Sequence, residues 1–336
     1  MPVFINGRFL SQPFTGVQKY AAGLSLHLQR LDPSIILVIP PGTQQFNGLK
    51  TLKIGKLHGI LWEQIELPLF LKRIQGSVLV NLCNTAPILF RHQVITIHDL
   101  AFEQDKTWVK SSFRLWYKLM IPKIIKTSLL ILTVSQFIKN EIKTRYKTDE
   151  GRIHIIPNGV QMNGEPLQPV IDGKYLLLTG VNNPRKNAEI VLRLLPEINR
   201  LGYKVVTTGS PLPPFRNIHI PETNGLINLG YVDENTYTSL VRNAAAMIYP
   251  SKYEGFGVPV LESIVSGVNV IASDLPVFRE SFGDIPGYFS NDQELLANIK
   301  KLKEITLPED EIDSLRNRFT FAESARKLYT LIKDLK

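Results

Sequence analysis

The chain has 336 residues, of which 44% are hydrophobic and 21% charged, and its formal net charge is +9. That length and composition suit about two globular domains, each able to bury a core, and exclude a disordered or fibrous chain. A single cysteine excludes an intramolecular disulfide and a multi-thiolate metal site, and the positive balance favours an anionic partner.

The opening Met1-Pro2-Val3-Phe4-Ile5-Asn6 lacks a charged leader followed by an apolar stretch and reads as a first strand. No run approaches the roughly 18 apolar residues of a spanning helix, so the expected location is cytoplasmic. Strands are predicted at Val3–Asn6, Ile35–Ile39, Val78–Leu82, Val94–Ile97, Leu129–Val134 and Ile153–Ile156. Helices are predicted between them at Gly16–Leu31, Leu61–Ile74, Trp108–Ile121 and Gln136–Tyr146. The strand runs are apolar throughout, which fits parallel strands covered on both faces. Cys83 ends one of these runs and reads as a buried, inert thiol.

Val160–Gly173 carries Gly164, Pro166, Pro169 and Gly173 without periodicity and reads as a linker. The alternation then restarts, with strands at Tyr175–Thr179, Lys204–Thr208, Ile227–Leu229, Ala246–Tyr249 and Val268–Ala272. Its helices are predicted at Ala188–Leu201, Glu234–Asn243, Val258–Ser266 and Gln293–Lys303. The tail Phe321–Leu335 has apolar residues near helical spacing and no following strand. The expected fold class is therefore α/β, two open parallel-sheet domains at residues 1–163 and 172–320, with a C-terminal helix at 321–336 returning to the first. Ligands of such sheets bind at the carboxyl ends of the strands, so the chemistry is sought in those loops.

The strongest signal there is Ser251-Lys252-Tyr253-Glu254-Gly255-Phe256-Gly257-Val258-Pro259-Val260-Leu261-Glu262, between a strand and a helix. Gly255 and Gly257 permit a tight turn and close approach to a ligand, and Pro259 suits a first helical turn. Glu254 on the loop and Glu262 in the early helix can accept hydrogen bonds from hydroxyls of one bound molecule. A loop acid and a dipole-stabilised helix carboxylate are the plainer alternative. In Gly180-Val181-Asn182-Asn183-Pro184-Arg185-Lys186-Asn187, the adjacent cations stand where a diphosphate would bind, or form a solvated basic pair. His98 lies just past an apolar strand and can bond a substrate hydroxyl or its own backbone surroundings, with Asp99 orienting it or capping the next segment. Gly16 allows close approach at the first turn, or Thr15 is a simple N-cap. No phosphate-binding P-loop, Asp-x-Asp pair or metal-ligand cluster is present in the sequence.

These signals occur together, in this order, in one family. From the Gly16 turn to the last helix the sequence resembles the retaining glycosyltransferases of family 4. Its most specific element is the E-x7-E pattern from Glu254 to Glu262. Pro184-Arg185-Lys186-Asn187, Ile156-Pro157-Asn158-Gly159-Val160, Ile97-His98-Asp99 and Val270-Ile271-Ala272-Ser273-Asp274 also match. The resemblance implies a GT-B fold, two Rossmann-like domains facing each other across a cleft, and transfer of a sugar from a nucleotide diphosphate without a cofactor or metal. It also implies roles for individual residues. Glu254 would face the donor sugar, Glu262 the ribose hydroxyls, and Lys186 with Arg185 the diphosphate. Gly255, Phe256, Gly257 and Val258 would line the donor. His98 would contact the transferred sugar, with Gly16 and Asp99 on the acceptor or phosphate side. Val181 departs from the family, many of whose members carry arginine at that place.

A last feature concerns partners. No acidic residue occurs from Lys106 to Asn140, and Lys106, Lys110, Arg114 and Lys118 recur every four residues, followed by Lys123 and Lys126. Trp108, Phe113, Trp116 and Tyr117 interleave with them. Basic plus aromatic residues on one helix suit an anionic membrane surface, and with it a lipid-linked saccharide acceptor; a solvated basic face over core aromatics is the alternative. No nucleic-acid module is recognisable. A non-catalytic nucleotide-sugar-binding subunit and a sugar-nucleotide epimerase are the rival functions.

Overall fold

A computed structural model describes residues 1–44, 46, 48–160, 168–209, 222–304 and 307–335. Half of the linker read over Val160–Gly173, residues 161–167, lies outside them. The chain divides into two compact units. The first comprises Met1–Leu100, Leu115–Gln161 and Phe319–Lys336, the second Ala101–Arg114 and Met162–Arg318.

The first unit holds β1 (Val3–Asn6), β2 (Ile36–Ile39), β3 (Thr51–Lys53), β4 (Val78–Asn81), β5 (Gln93–Ile97), β6 (Leu130–Thr133) and β7 (Ile153–Ile155). They form one parallel sheet in the order β3-β2-β1-β4-β5-β6-β7. The second unit holds β8 (Tyr175–Thr179), β9 (Lys204–Thr208), β10 (Leu226–Asn228), β11 (Ala246–Tyr249), β12 (Val270–Ser273) and β13 (Gly287–Phe289). Their parallel order is β10-β9-β8-β11-β12-β13. The strands β4, β5, β8 and β11 are buried at every residue, as sheets covered on both faces require. In each sheet the strand order reverses once, between β1 and β4 and between β8 and β11. A crevice opens at the carboxyl ends of the strands at such a reversal.

Several elements depart from the sequence pattern. The segment predicted as one helix over Leu61–Ile74 is broken into Gly59–Leu61, a π-helical turn at Trp62–Glu66, and Leu67–Lys72. The wider turn lets consecutive residues Trp62 and Glu63 both point inward, where each is buried. The helix predicted over Ala188–Leu201 splits at Leu194, because the Pro196 ring cannot follow a regular turn. Ala101–Arg114 groups with the second unit and not with the chain around it. Its Trp108 ring lies 6.5 Å from that of Tyr253, and Arg114 Nε donates to Phe102 O at 2.9 Å. The main helix of this region runs Ser111–Thr127, where Trp108–Ile121 was predicted.

The final helix, Phe321–Lys333, packs against Gly16–Leu31 in the first unit. Two glycines make room for it. A Cβ on Gly159 would stand 2.3 Å from Phe321 N, and one on Gly23 would stand 2.8 Å from the Phe321 ring. Val160 N donates to Phe319 O at 2.9 Å and Ser324 Oγ to Pro157 O at 2.9 Å. The Pro157-Asn158-Gly159-Val160 motif is thus the seat of the tail.

Candidate active site

The crevice of the second sheet is built by the loops after β8 and β11. Gly180 leaves β8 at φ +68°, a left-handed value that glycine adopts without strain. The loop then closes on itself, Asn183 N donating to Gly180 O at 3.1 Å and Lys186 N to Asn183 O at 2.9 Å. Asn183 also caps the short 3₁₀ turn Pro184–Lys186, its Oδ1 accepting from Arg185 N at 3.1 Å. This turn aims both cations at the neighbouring loop, where Lys252 N donates to Arg185 O at 2.9 Å.

There Lys186 Nζ meets Glu254 Oε1 at 2.7 Å, and Arg185 Nη1 meets Glu254 Oε2 at 3.5 Å. Lys186 also donates to the Tyr249 hydroxyl. All three charged side chains are largely buried. Burial alone would raise the Glu254 pKa; Arg185 and Lys186 outweigh it and hold the carboxyl below its ordinary range. Two cations, Arg185 and Lys186, thus meet on one carboxylate, Glu254, in a poorly solvated place.

Glu262 enters from the helix Val258–Val265. Its Oε2 accepts from Tyr237 Oη at 3.0 Å. Burial, then Glu254, raise the Tyr249 pKa, and Glu262 adds to the effect. Gly257 starts the helix at φ +105°, and a Cβ there would stand 2.6 Å from the Phe278 ring, so glycine is required on both counts. Phe256 packs edge-on against Phe282, with ring centroids 5.8 Å apart, which fixes the Gly255–Val258 turn. The first N–H groups of this helix have no acceptor in the preceding turn and suit an anionic or hydroxyl ligand.

The structure therefore brings Arg185, Lys186, Glu254, Gly255, Phe256, Gly257, Val258 and Glu262 together in the second unit. Tyr249 and Tyr237 were missed by sequence reasoning. Tyr249 could have been found as the polar end of an otherwise apolar strand; Tyr237, on a separate helix, carried no local signal.

Gly16, His98 and Asp99 belong to the first unit. His98 is buried, its Nε2 bonded to Leu82 O at 2.9 Å and its N donating to Asn84 Oδ1 at 2.7 Å. Burial lowers its pKa, and Asp99 and the Leu82 bond only partly oppose this, so the imidazole is neutral near pH 7. Its backbone contact requires the Nε2–H tautomer. The ring stands edge to face with Tyr20, centroids 4.7 Å apart. Gly16 opens the helix Gly16–Leu31 with open space around it, nothing lying within 4 Å of where a Cβ would stand, and Thr15 N donates to Gln18 Oε1 at 3.2 Å.

Cys83 is free and half-buried, and burial pushes its thiol pKa up to about 12, which keeps it inert as expected. One sequence expectation is corrected. The aromatics of the Lys106–Lys126 segment do not share the exposed face with its lysines. Trp108 is buried and Phe113, Trp116 and Tyr117 are half-buried, while Leu115 and Leu119 are 62% and 55% exposed. Among the described residues no helix is long and apolar enough to cross a membrane.

Two family models match the chain. The one described as Glycosyltransferase Family 4 matches residues 14–163, and Glycosyl transferases group 1 matches residues 167–319. An O-antigen chain mannosyltransferase of Salmonella typhimurium, RfbU, is 25% identical over 272 residues, covering 75% of this chain and 74% of that protein. Among solved structures, sucrose-phosphate synthase of Thermosynechococcus elongatus superposes with a TM-score of 0.72 at 15% identity, over 99% of this chain and 98% of that one. HepE of Anabaena, solved with UDP and glucose, gives 0.70 at 13% identity, over 99% of both chains. At these identities the two structures speak for the fold alone.

Proposed function

We propose, from the premise that this chain belongs to the family 4 glycosyltransferases and has their GT-B fold, that it moves a hexose from a nucleotide diphosphate onto a saccharide acceptor with retention of anomeric configuration. The observation that carries this reading is the Arg185–Lys186–Glu254 cluster at the reversal of the second sheet. Breaking the bond between an anomeric carbon and a diphosphate places negative charge on the leaving oxygen. Preorganised cations in a poorly solvated site stabilise that charge without reorganising. Lys186 and Arg185 take this role in place of a metal ion. Glu254 then gives up part of its ion pairing and accepts from donor-sugar hydroxyls, while Glu262, aligned by Tyr237, accepts from the ribose. The Gly257–Val260 helix start donates to the sugar or phosphate.

The transferred sugar is proposed to be mannose, in keeping with the name of the Salmonella relative, and GDP-mannose is the first donor to test. The acceptor side falls to the first unit, with the neutral His98, Asp99 and the Gly16 turn contributing. A lipid-linked acceptor reached at the inner face of a membrane fits the exposed Leu115 and Leu119 beside Lys118 on one helix. A thermal-shift panel of GDP-mannose, UDP-glucose and UDP-N-acetylglucosamine tests the reading. One donor at 100 times its Kd is expected to stabilise the protein by about 2.7 kcal/mol. The same donor should then support acceptor-dependent release of nucleoside diphosphate. Stabilisation without turnover on any acceptor would instead favour a non-catalytic binding subunit.

A further inference from the structure

The strand β11 reads Ala246, Met247, Ile248 and Tyr249, and all four are buried. The first three side chains are apolar, and the last carries a hydroxyl to the sheet edge. At 2% exposure a phenol is costly unless its oxygen is bonded, and phenylalanine would fill the same space. The Tyr249 hydroxyl meets that need on Lys186, whose Nζ donates to it. The same ammonium stands 4.3 Å from the centroid of the Tyr249 ring. The ring in turn packs on Phe278, with centroids 5.8 Å apart, and Phe278 also closes on the Gly257 turn.

Lys186 has a reason to be held this way. Its flexible four-carbon stem passes the Gly180 turn, where a Cβ would stand 3.4 Å from Lys186 Cε. Its ammonium pairs with Glu254 Oε1 at 2.7 Å. A carboxylate holds an ammonium but offsets its charge, whereas a phenol oxygen aligns it and leaves the charge for a ligand. Burial, then Glu254, keep the Tyr249 phenol protonated, so it is a neutral partner. In the transferase reading Glu254 turns toward the donor sugar, and the ammonium must then stay in place with less help from it. Tyr249 sits on a strand and not on either loop, which gives it the more rigid support.

We propose that Tyr249 is a positioning residue whose hydroxyl holds the Lys186 ammonium where the diphosphate leaves, while Glu254 is engaged with the sugar; the assignment rests on the transferase reading above. As the donor bond breaks, its electron pair stays on the diphosphate oxygen. An ammonium already aimed there stabilises that charge without reorganising. Tyr249 acts through Lys186, so its contribution vanishes when Lys186 is absent.

Tyr249→Phe keeps the ring and removes only the hydroxyl. Release of nucleoside diphosphate is measured with the donor selected by thermal shift, with methyl α-mannopyranoside or water accepting the sugar. The kcat is expected to fall about tenfold, while KM for the donor and Kd for the nucleoside diphosphate change by less than about threefold. In a Lys186→Ala background the same substitution should change kcat by less than about twofold. A hydroxyl that only supports the fold would cost the same factor in both backgrounds. Equal losses in the two backgrounds, or a Tyr249→Phe kcat within about twofold of wild type, overturn the proposal. If urea unfolding shows that Tyr249→Phe does not fold, 3-fluorotyrosine at position 249 replaces it, keeping the shape and making the hydroxyl a poorer acceptor. Its kcat should fall about twofold to threefold, and an unchanged kcat overturns the proposal. A wild type that releases no nucleoside diphosphate from any donor overturns the transferase reading and this role with it. A wild type that does, with additive losses in the two backgrounds, overturns the role of Tyr249 alone.

Discussion

The two sheets reverse their strand order at equivalent places, and each reversal carries an arginine paired to a buried glutamate. The pairs differ in their surroundings. In the first unit Arg8 and Glu63 are matched one to one, and Asn6 and Thr85 add neutral donors to the same carboxylate oxygen. In the second, Glu254 faces both Arg185 and Lys186. The Lys186 ammonium beside Arg185 makes the surroundings of Glu254 more positive than those of Glu63. Equivalent fold positions thus carry different local charge balances.

Removing the extra ammonium is the most direct way to break this contrast. Lys186→Ala is expected to lower transfer by about 10²–10³, the loss typical of one preorganised group that stabilises developing negative charge. Steady-state rates with the donor found by thermal shift check this, and a rate within threefold of wild type would place the leaving group elsewhere. The carboxylate side gives a second, smaller effect. Glu254→Gln should cost about 1–3 kcal/mol of stability at pH 7, because Arg185 and Lys186 lose a buried charged acceptor. The folded-state pKa of Glu254 lies below its ordinary 4.5. Its contribution is thus present above pH 4.5 and lost as pH falls through the folded value. Urea unfolding at pH 7 and at progressively lower pH should show wild type and variant converging below pH 4.5. A constant difference would mean that the ionised carboxylate is not what stabilises the site.

Both crevices were legible in the sequence to different degrees, for a physical reason. The second is assembled from two contiguous loops, so Gly180, Arg185, Lys186, Glu254, Gly257 and Glu262 stand in strings that look like strand, turn and helix. The first depends on Glu63, which sits in a segment that reads as an ordinary amphipathic helix; only the π-helical turn brings it inward. Its partners Arg8 and Thr85 come from separate loops with no shared pattern. The sheets show the same division. Uniformly buried β4, β5, β8 and β11 announce themselves as apolar runs, whereas the edge strands β3 and β13 have three residues each and were not predicted. Leu52 and Lys53 of β3 are exposed, so no continuous apolar run marks it. In the Lys106–Lys126 segment, charge spacing indicated the basic residues but not that Trp108 packs toward Tyr253.

The hydroxyl-binding role given to Glu262 sharpens the comparison further. Tyr237→Phe removes the phenol that orients its Oε2 and should weaken nucleotide binding by about threefold to tenfold, with turnover at saturating donor nearly unchanged. Isothermal titration with the nucleoside diphosphate separates the two parameters. If turnover falls while affinity holds, Glu262 acts on the reacting sugar and not on the ribose.

The smallest expected effect concerns the glycines that open the loops. Gly257 is fixed by its left-handed backbone and by the Phe278 ring, so any substitution there disturbs folding and says little about ligands. Gly16 is the opposite case. Its backbone is outside the left-handed region and nothing lies within 4 Å of an added methyl. Gly16→Ala should therefore change stability by no more than about 0.5 kcal/mol in a urea melt. Any loss of transfer in that variant must come from a ligand approaching the turn more closely than a methyl allows. A KM for acceptor that rises while the melt is unchanged would put the ligand against the Gly16 backbone. Unchanged kinetics would reduce this turn to a helix start held by Thr15 and Gln18.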